Sequence, residues 1–574
     1  MDDPAPSPRR RWPLAAALAV AALLRLAHWA AVRDEPFVGR LAMDSQEYDR
    51  WAQAIAGGDW LGREPFFQAP LYPYLLAVVY RAGGRSLDAV YLLQIAAALA
   101  GLYALGRAAE EMAGGGERGR RLGALAALGG ALYTPFVFYD VQLLKESLAV
   151  DLAAALLWAL AVARRRGSPR RWLAAGAIGG LLALLRENFL VAAPFLLPLA
   201  WRRGDGARPA LVRAVAFAAG LALPLAPVAL RNAALGGGFL PTTSQGGANF
   251  WIGNNPQADG TYRPLTPGRQ IPRLEREEPR RIAERERGRE LSGAEVSAFW
   301  RERALAWAAA EPARFARLQL RKLRLYWSGY EWPDAVDYYW MKSRSPALAA
   351  PLLEFGAVAL AALAGVVLLA RRRELAGYAP ALAFALAWML STVAFFLFAR
   401  YRLPSLPALL ALAAVPVERW LAAVEARRVR VALAGGAALA ALALLPHLAG
   451  YRPRLDLVEY NLGRLAEEAG ESADAESHYL RALEADPNDF LAAMNAGKLA
   501  ARRGELALAL ARLERATALE PKSADAWANL GAARLATGDL AGARAAFERA
   551  LTLEPEHGAA RANLALVERR ERAR

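Results

Sequence analysis

Long apolar segments bounded by basic clusters recur along most of this chain, and no other feature limits its fold so strongly. The first, "WPLAAALAVAALLRLAHWAAV" (12–32), follows Arg9, Arg10 and Arg11 and has about the twenty residues that a bilayer crossing needs. Its apolar run continues to Val32, so it reads as an uncleaved span rather than a secretory signal peptide. Further segments lie at 88–108, 121–139, 145–163, 172–186, 188–201, 210–231, 350–370, 377–398, 403–423 and 430–448. Together they predict an all-α integral membrane protein with about eleven transmembrane helices.

Basic clusters at 9–11, 117–121, 164–171, 202–208, 371–373 and 427–430 orient the spans. If all of them face the cytoplasm, 172–201 enters and leaves the bilayer as two short helices meeting at Arg186-Glu187-Asn188. Residues 1–11 are then cytoplasmic. Asp44 and everything after His447 face outward, across a bacterial inner or plasma membrane. The formal net charge of +16 is explained by these clusters, which suit membrane lipid headgroups better than nucleic acid. The chain has no cysteine, which excludes disulfide and thiolate chemistry, and its four histidines lack zinc-ligand spacing.

The sequence divides into a membrane domain (12–231) with a first outer loop at 33–87, a polar insertion (232–348), further spans (349–450) and a repeat array (456–574). The insertion is too long for a structureless loop and is expected to form an ordered outer subdomain. In the array, Asn461, Asn495, Asn529 and Asn563 recur every 34 residues, and Pro487, Pro521 and Pro555 keep the same interval. That period resembles tetratricopeptide repeats. It predicts an α-solenoid of repeats at 456–489, 490–523 and 524–557 with a capping helix at 559–572. Such stacks present a concave groove to a protein or peptide partner.

Charged side chains near span ends are functional candidates because burying them in lipid is costly. Asp44 and Glu47, in "AMDSQEYDRWA", have the spacing of a helix capping box and equally that of an acid/base site. Asp49 falls off the face shared by Asp44, Glu47, Tyr48 and Trp51, so it is expected on the solvated side. Lys145, Arg186, Arg400 and Arg402 also fall on the outward side, and arginine forks suit phosphate oxygens. In "SQGGANFWIGNN", Gln245, Asn249, Trp251, Asn254 and Asn255 offer amides and an aromatic face for a sugar.

The acid outside the first span, "YDRWAQAIAGGDW" and "APLYPYLLAVVY" resemble the first outer loop of the GT-C membrane glycosyltransferases. The resemblance is to the branch of protein O-mannosyltransferases and aminoarabinose transferases. "QLLKESLAVDLAAALLWAL", "SQGGANFWIGNNPQADGTY" and "RYRLPSLPALLALA" are similar to its bacterial members. It implies transfer of a sugar from a polyprenyl-phosphate donor to an acceptor on the outer face, with inversion at the sugar carbon. It also implies that Asp44 is the general base or orients the acceptor, with Glu47 a weaker match. Aminoarabinose transferases carry an acid and a lysine where this chain has Phe67 and Gln68. That departure weighs against a divalent metal near Asp44 and against an aminoarabinose donor. An oligosaccharide ligase or polymerase, a non-catalytic scaffold for envelope assembly, and a transporter are the rival readings.

Overall fold

The computed structural model describes residues 12–202, 204–268, 272–448 and 450–573. The expected cytoplasmic segment 1–11 lies outside the described residues. Helices dominate, and no strand is present among the described residues beyond two isolated bridges. The chain forms two compact units. One comprises the described parts of Met1–Tyr262, Pro279–Asp334 and Met341–Arg452, and the other those of Arg263–Glu278, Ala335–Trp340 and Pro453–Arg574.

In the first unit, five helices are long and apolar enough to cross a membrane: Pro13–Val32, Leu87–Met112, Glu146–Arg166, Ala207–Ala234 and Ala399–Glu425. Among the described residues, five of the roughly eleven expected spans thus reach that length. Several apolar runs fold as shorter pieces, including Phe355–Arg371 and Ala379–Val393. The run 121–139 breaks at Tyr133, between helices Gly116–Leu132 and Thr134–Tyr139. There the Thr134 N–H leaves the helical ladder and donates to the Leu353 carbonyl at 3.0 Å. The run 172–201 contains the break expected at Arg186–Asn188, between a helix at Pro169–Ala183 and short helical turns at Phe189–Ala192 and Ala193–Ala200.

Helices Pro169–Ala183 and Ala207–Ala234 meet through glycines. A Cβ on Gly176 would lie 2.0 Å from the Phe217 carbonyl oxygen, and one on Gly220 would lie 2.0 Å from that of Leu173. Small residues let backbones approach this closely where lipid offers no hydrophobic drive.

The segment after the first apolar helix, expected to be an outer loop, carries helix Met43–Ala56 and helix Leu71–Gly83, which is preceded by Pro70. The capping-box reading of Asp44 is corrected. Ala42 is the N-cap, it makes no side-chain cap bond, and Asp44 sits inside the first turn. The capping box in this unit lies instead at Ser292 and Glu295, opening helix Gly293–Ala310. Asp49 is buried rather than solvated. It accepts from the Tyr80 hydroxyl at 2.7 Å and from Arg85 Nε at 2.9 Å, tying the two loop helices together.

The polar insertion is ordered. Helices Gly246–Gly253, Gly293–Ala310 and Pro312–Tyr326 belong to the first unit. The described parts of its stretches 263–278 and 335–340 belong to the second.

The second unit stacks helices in pairs from Leu455–Glu468 and Ser472–Ala485 to Ala524–Thr537 and Leu540–Leu553, with Gly558–Arg572 last. Tyr479 and Phe547, fully buried, fill the space left by Gly463 and Gly531 two residues after the repeating asparagines. The Asn461 amide donates to the Ala335 carbonyl at 2.9 Å, and the Arg454 N–H donates to Asp337 at 3.0 Å. One asparagine of the repeating row is therefore engaged by the chain's own insertion.

Candidate active site

Arg400 is the centre of the charged cluster. It lies on the short helix Ala399–Arg402, with its side chain 6% exposed. One edge of its guanidinium reaches Asp44 at 2.9 Å and Asp334 at 2.5 Å, and Nη1 lies 3.2 Å from Glu146. Among the described residues, Arg400 Nε and Nη1 have no hydrogen-bond partner, nor does Arg186 Nε. Arg186 is ion-paired with the fully buried Glu146. Its guanidinium lies 4.7 Å from the ring centre of Tyr401, and that of Arg400 lies 5.4 Å from the same ring.

Asp44 is aimed into the cluster by an unusual backbone. The preceding residue, Met43, has φ of +53°, which only a few per cent of non-glycine residues adopt. Gln68 donates to the second Asp44 oxygen at 3.2 Å, so the position that departs from the aminoarabinose transferases serves the acid directly. Burial pushes the Asp44 carboxyl up, but the charge and hydrogen bond of Arg400, with Lys145 and Gln68, outweigh it and hold the group below its ordinary value. For Asp334 the balance runs the other way. Burial, joined by repulsion from Asp44 and Glu146, outweighs Arg400 and lifts it to about 6. Asp44 thus carries charge at neutral pH, while Asp334 is poised to take a proton.

Lys145 extends the cluster, 3.8 Å from Glu187 and with its ammonium pKa pushed down by burial. Gln245 Nε2 donates to the same Glu187 carboxylate at 2.9 Å. The remaining sequence-predicted residues lie elsewhere. Glu47 is one turn beyond Asp44 on its helix and half-buried. Arg402 is buried with its fork turned to the insertion: it donates to the Tyr326 carbonyl at 3.1 Å, the Ser328 carbonyl at 2.5 Å and Glu331 at 2.7 Å. Asn254 is fully enclosed. Its oxygen accepts from Lys322 and Gln319, and its amide donates to the Phe250 and Ala394 carbonyls. Asn255 bonds within its own turn, to the Trp251 and Ile252 carbonyls. Trp251 packs on Trp300 at 6.0 Å, and Asn249 is half-buried on the same short helix. These groups hold the insertion in shape, and of the five only Gln245 touches the charged cluster.

Sequence reasoning missed Asp334. It is one acid in "GYEWPDAVDYY", in an irregular loop 66 residues before Arg400, and no spacing marks it. The donor set near Asp44 does not fit a divalent ion. A guanidinium occupies the centre of the three carboxylates, and among the described residues no group of three or more histidines or acids could hold a metal.

A half-buried acid thus stands beside an arginine fork, and the fork lies at the start of the apolar helix Ala399–Glu425. Residues 67–230 match the family described as dolichyl-phosphate-mannose-protein mannosyltransferase, and residues 460–511, 495–557 and 533–573 match tetratricopeptide repeats. The chain therefore carries a membrane glycosyltransferase domain of the GT-C kind followed by a tetratricopeptide solenoid. The mannosyltransferase match includes Lys145, Glu146 and Arg186 but neither Asp44 nor Arg400. No curated protein matches the chain. Among solved structures, the repeats resemble the first repeat domain of Spaghetti (RPAP3) bound to an HSP90 peptide, at 28% identity. That match covers 20% of this chain and 92% of the other, with a TM-score of 0.20. The Sgt2 repeat domain of Aspergillus fumigatus matches at 26% identity over 20% of this chain and 79% of that one, with a TM-score of 0.20.

Proposed function

We propose that the protein transfers a sugar from a polyprenyl-phosphate donor to an acceptor hydroxyl at the outer membrane face, with inversion at the sugar carbon. The observation that carries this reading is the meeting of ionised Asp44 with Arg400, whose Nε has no hydrogen-bond partner among the described residues. The acceptor oxygen attacks the anomeric carbon from the face opposite the phosphate. As the new C–O bond forms, the bond to the phosphate oxygen breaks, and the hydroxyl proton passes to Asp44. Arg400 and Arg186 stabilise the charge that collects on the departing lipid phosphate, where a planar fork is worth more than a point charge. Lys145 and Gln245, joined through Glu187, stand beside them and orient the donor head group. Outward placement of the site rests on the distribution of basic clusters. The solenoid supplies a groove for a protein or peptide partner that brings the acceptor.

The test is direct. Purified protein is given a labelled polyprenyl-phosphate sugar, and transfer is compared between the native chain and Asp44→Asn. Mass spectrometry of envelope glycans after gene deletion identifies the product. Transfer by the native protein that survives undiminished in the variant would remove Asp44 from the mechanism.

A further inference from the structure

Three carboxylates share Arg400, and they are not held alike. Asp44 also accepts from Gln68, and Glu146 is also paired with Arg186. Among the described residues, Arg400 is the only ion-pair partner of Asp334. Asp334 is also the most exposed of the three at 30%, against 23% for Asp44 and 0% for Glu146. Its loop does not depend on that ion pair. Arg402 fastens Tyr326, Ser328 and Glu331, and the Ala399 N–H donates to the Trp332 carbonyl at 3.2 Å. The Asp334 side chain is thus free to leave the guanidinium while its backbone stays in place.

The local charge makes such an exchange necessary. Asp44, Glu146, Glu187 and Asp334 set four carboxylates against the three cations Lys145, Arg186 and Arg400. An anionic lipid phosphate entering this cluster would add one more negative charge at close range. We infer that Asp334 is an exchangeable counter-ion of Arg400: the donor phosphate takes its place on the guanidinium, and Asp334 takes up a proton from solvent as it leaves. One proton then accompanies each donor bound, and Asp334 is a positioning residue that sets when the arginine is available. The inference rests on the reading of Arg400 as the phosphate site.

Asp334 is faced by Arg400, Asp44, Glu146 and Arg186, with the phenols of Tyr139 and Tyr401 nearby. Phenols ordinarily titrate at about 10, and Asp44 is held below its ordinary value by Arg400, so neither acts near neutrality. Asp334, lifted to about 6 by burial and its two acidic neighbours, changes charge in that range; Lys145, whose ammonium burial pushes down, stands on Glu187 on the other side of the cluster. Removing Arg400 from it on exchange raises it further.

The experiment measures binding of dodecyl methyl phosphate, a lipid phosphodiester of fixed single charge, to the full-length detergent-solubilised protein between pH 5.5 and 8. One linked proton gives a dissociation constant that rises about tenfold per unit above pH 6. In D334N the slope disappears, and affinity at pH 7.5 rises about tenfold or more towards the native value at low pH. D334S repeats the test with a smaller polar side chain, and thermal midpoints establish that both variants are folded. D44N keeps the slope. A native curve flat with pH, or a slope that persists in folded D334N and D334S, overturns the exchange while leaving the phosphate site standing. No binding by the native protein at any pH, or native-like binding by R400A, overturns the phosphate reading and the exchange with it.

Discussion

Asp44 and Arg400 stand 356 positions apart in the chain and meet at 2.9 Å, joining helix Met43–Ala56 to the turn that opens the apolar helix Ala399–Glu425. Neither has its full chemistry while the two are paired. The ion pair lowers the basicity of the acid and occupies one edge of the guanidinium.

Asp44→Asn should lower turnover about a hundredfold or more, the usual scale of general-base catalysis. Its amide oxygen can still accept from Arg400, and Asp44 makes no helix cap, so the thermal midpoint should move little. Transfer rates and thermal midpoints of the purified variant check both halves. A large loss of stability would mean that the ion pair is chiefly structural.

Arg400 and Arg402 should separate cleanly. Arg400→Lys keeps a charge but loses the fork, so KM for the lipid donor should rise with the fold intact. Arg402→Lys or Arg402→Gln should instead destabilise, because Glu331 and the carbonyls of Tyr326 and Ser328 lose a buried partner. Breaking a buried ion pair costs about 3–5 kcal/mol. Thermal midpoints measured beside donor KM values distinguish the two residues.

Lys322 gives a pH signature of stability. Burial lowers its pKa from 10.5 to about 7, and its ammonium rests on neutral oxygens, those of Asn254 and the Val393 carbonyl. Between these values the unfolded chain binds a proton that the folded chain does not. Stability should therefore rise with pH from about 7 towards 10.5 and be insensitive to this group below 7. Lys322→Met, which keeps the length and removes the charge, should flatten that rise in thermal midpoints taken at pH 7, 8.5 and 9.5.

Deleting 456–574 should leave transfer to a minimal acceptor measurable and reduce modification of a protein acceptor. The groove of a solenoid recruits partners rather than performing the chemistry. Asn461→Ala, which loses the bond to the Ala335 carbonyl, should cost about 1 kcal/mol in stability. Complete loss of transfer by a folded truncate would show that the repeats complete the site.

The repeats were legible because a period of 34 imposes the same small residue at the same contact in every copy, as Gly463 and Gly531 show beneath Tyr479 and Phe547. Asp44, Lys145, Arg186 and Arg400 stood out because a charge beside lipid demands a reason. Asp334 was invisible since its position depends on loop backbone and on Arg402, neither of which leaves a pattern in nearby residues. Arg402 and Arg400 look alike in "FARYRLPSLP", yet two positions on a short helix turn one fork to the cluster and the other to the insertion. The lengths of the apolar helices were illegible for a related reason. Hydropathy registers an apolar run but not the carbonyl of Leu353 that interrupts one at Thr134.

The reciprocal glycines at Gly176 and Gly220 bear on how the protein is made. Each leaves room for the other helix's carbonyl, so the two helices close on each other without help from the rest of the unit. A chain entering the membrane segment by segment acquires this hairpin as soon as residue 234 has emerged, long before Arg400 is synthesised. The turn that carries Arg186, with Glu146 already made, then precedes Arg400 and Tyr401. Alanine at either glycine would strike during biogenesis, lowering the yield of inserted protein while the specific activity of surviving molecules stayed near normal.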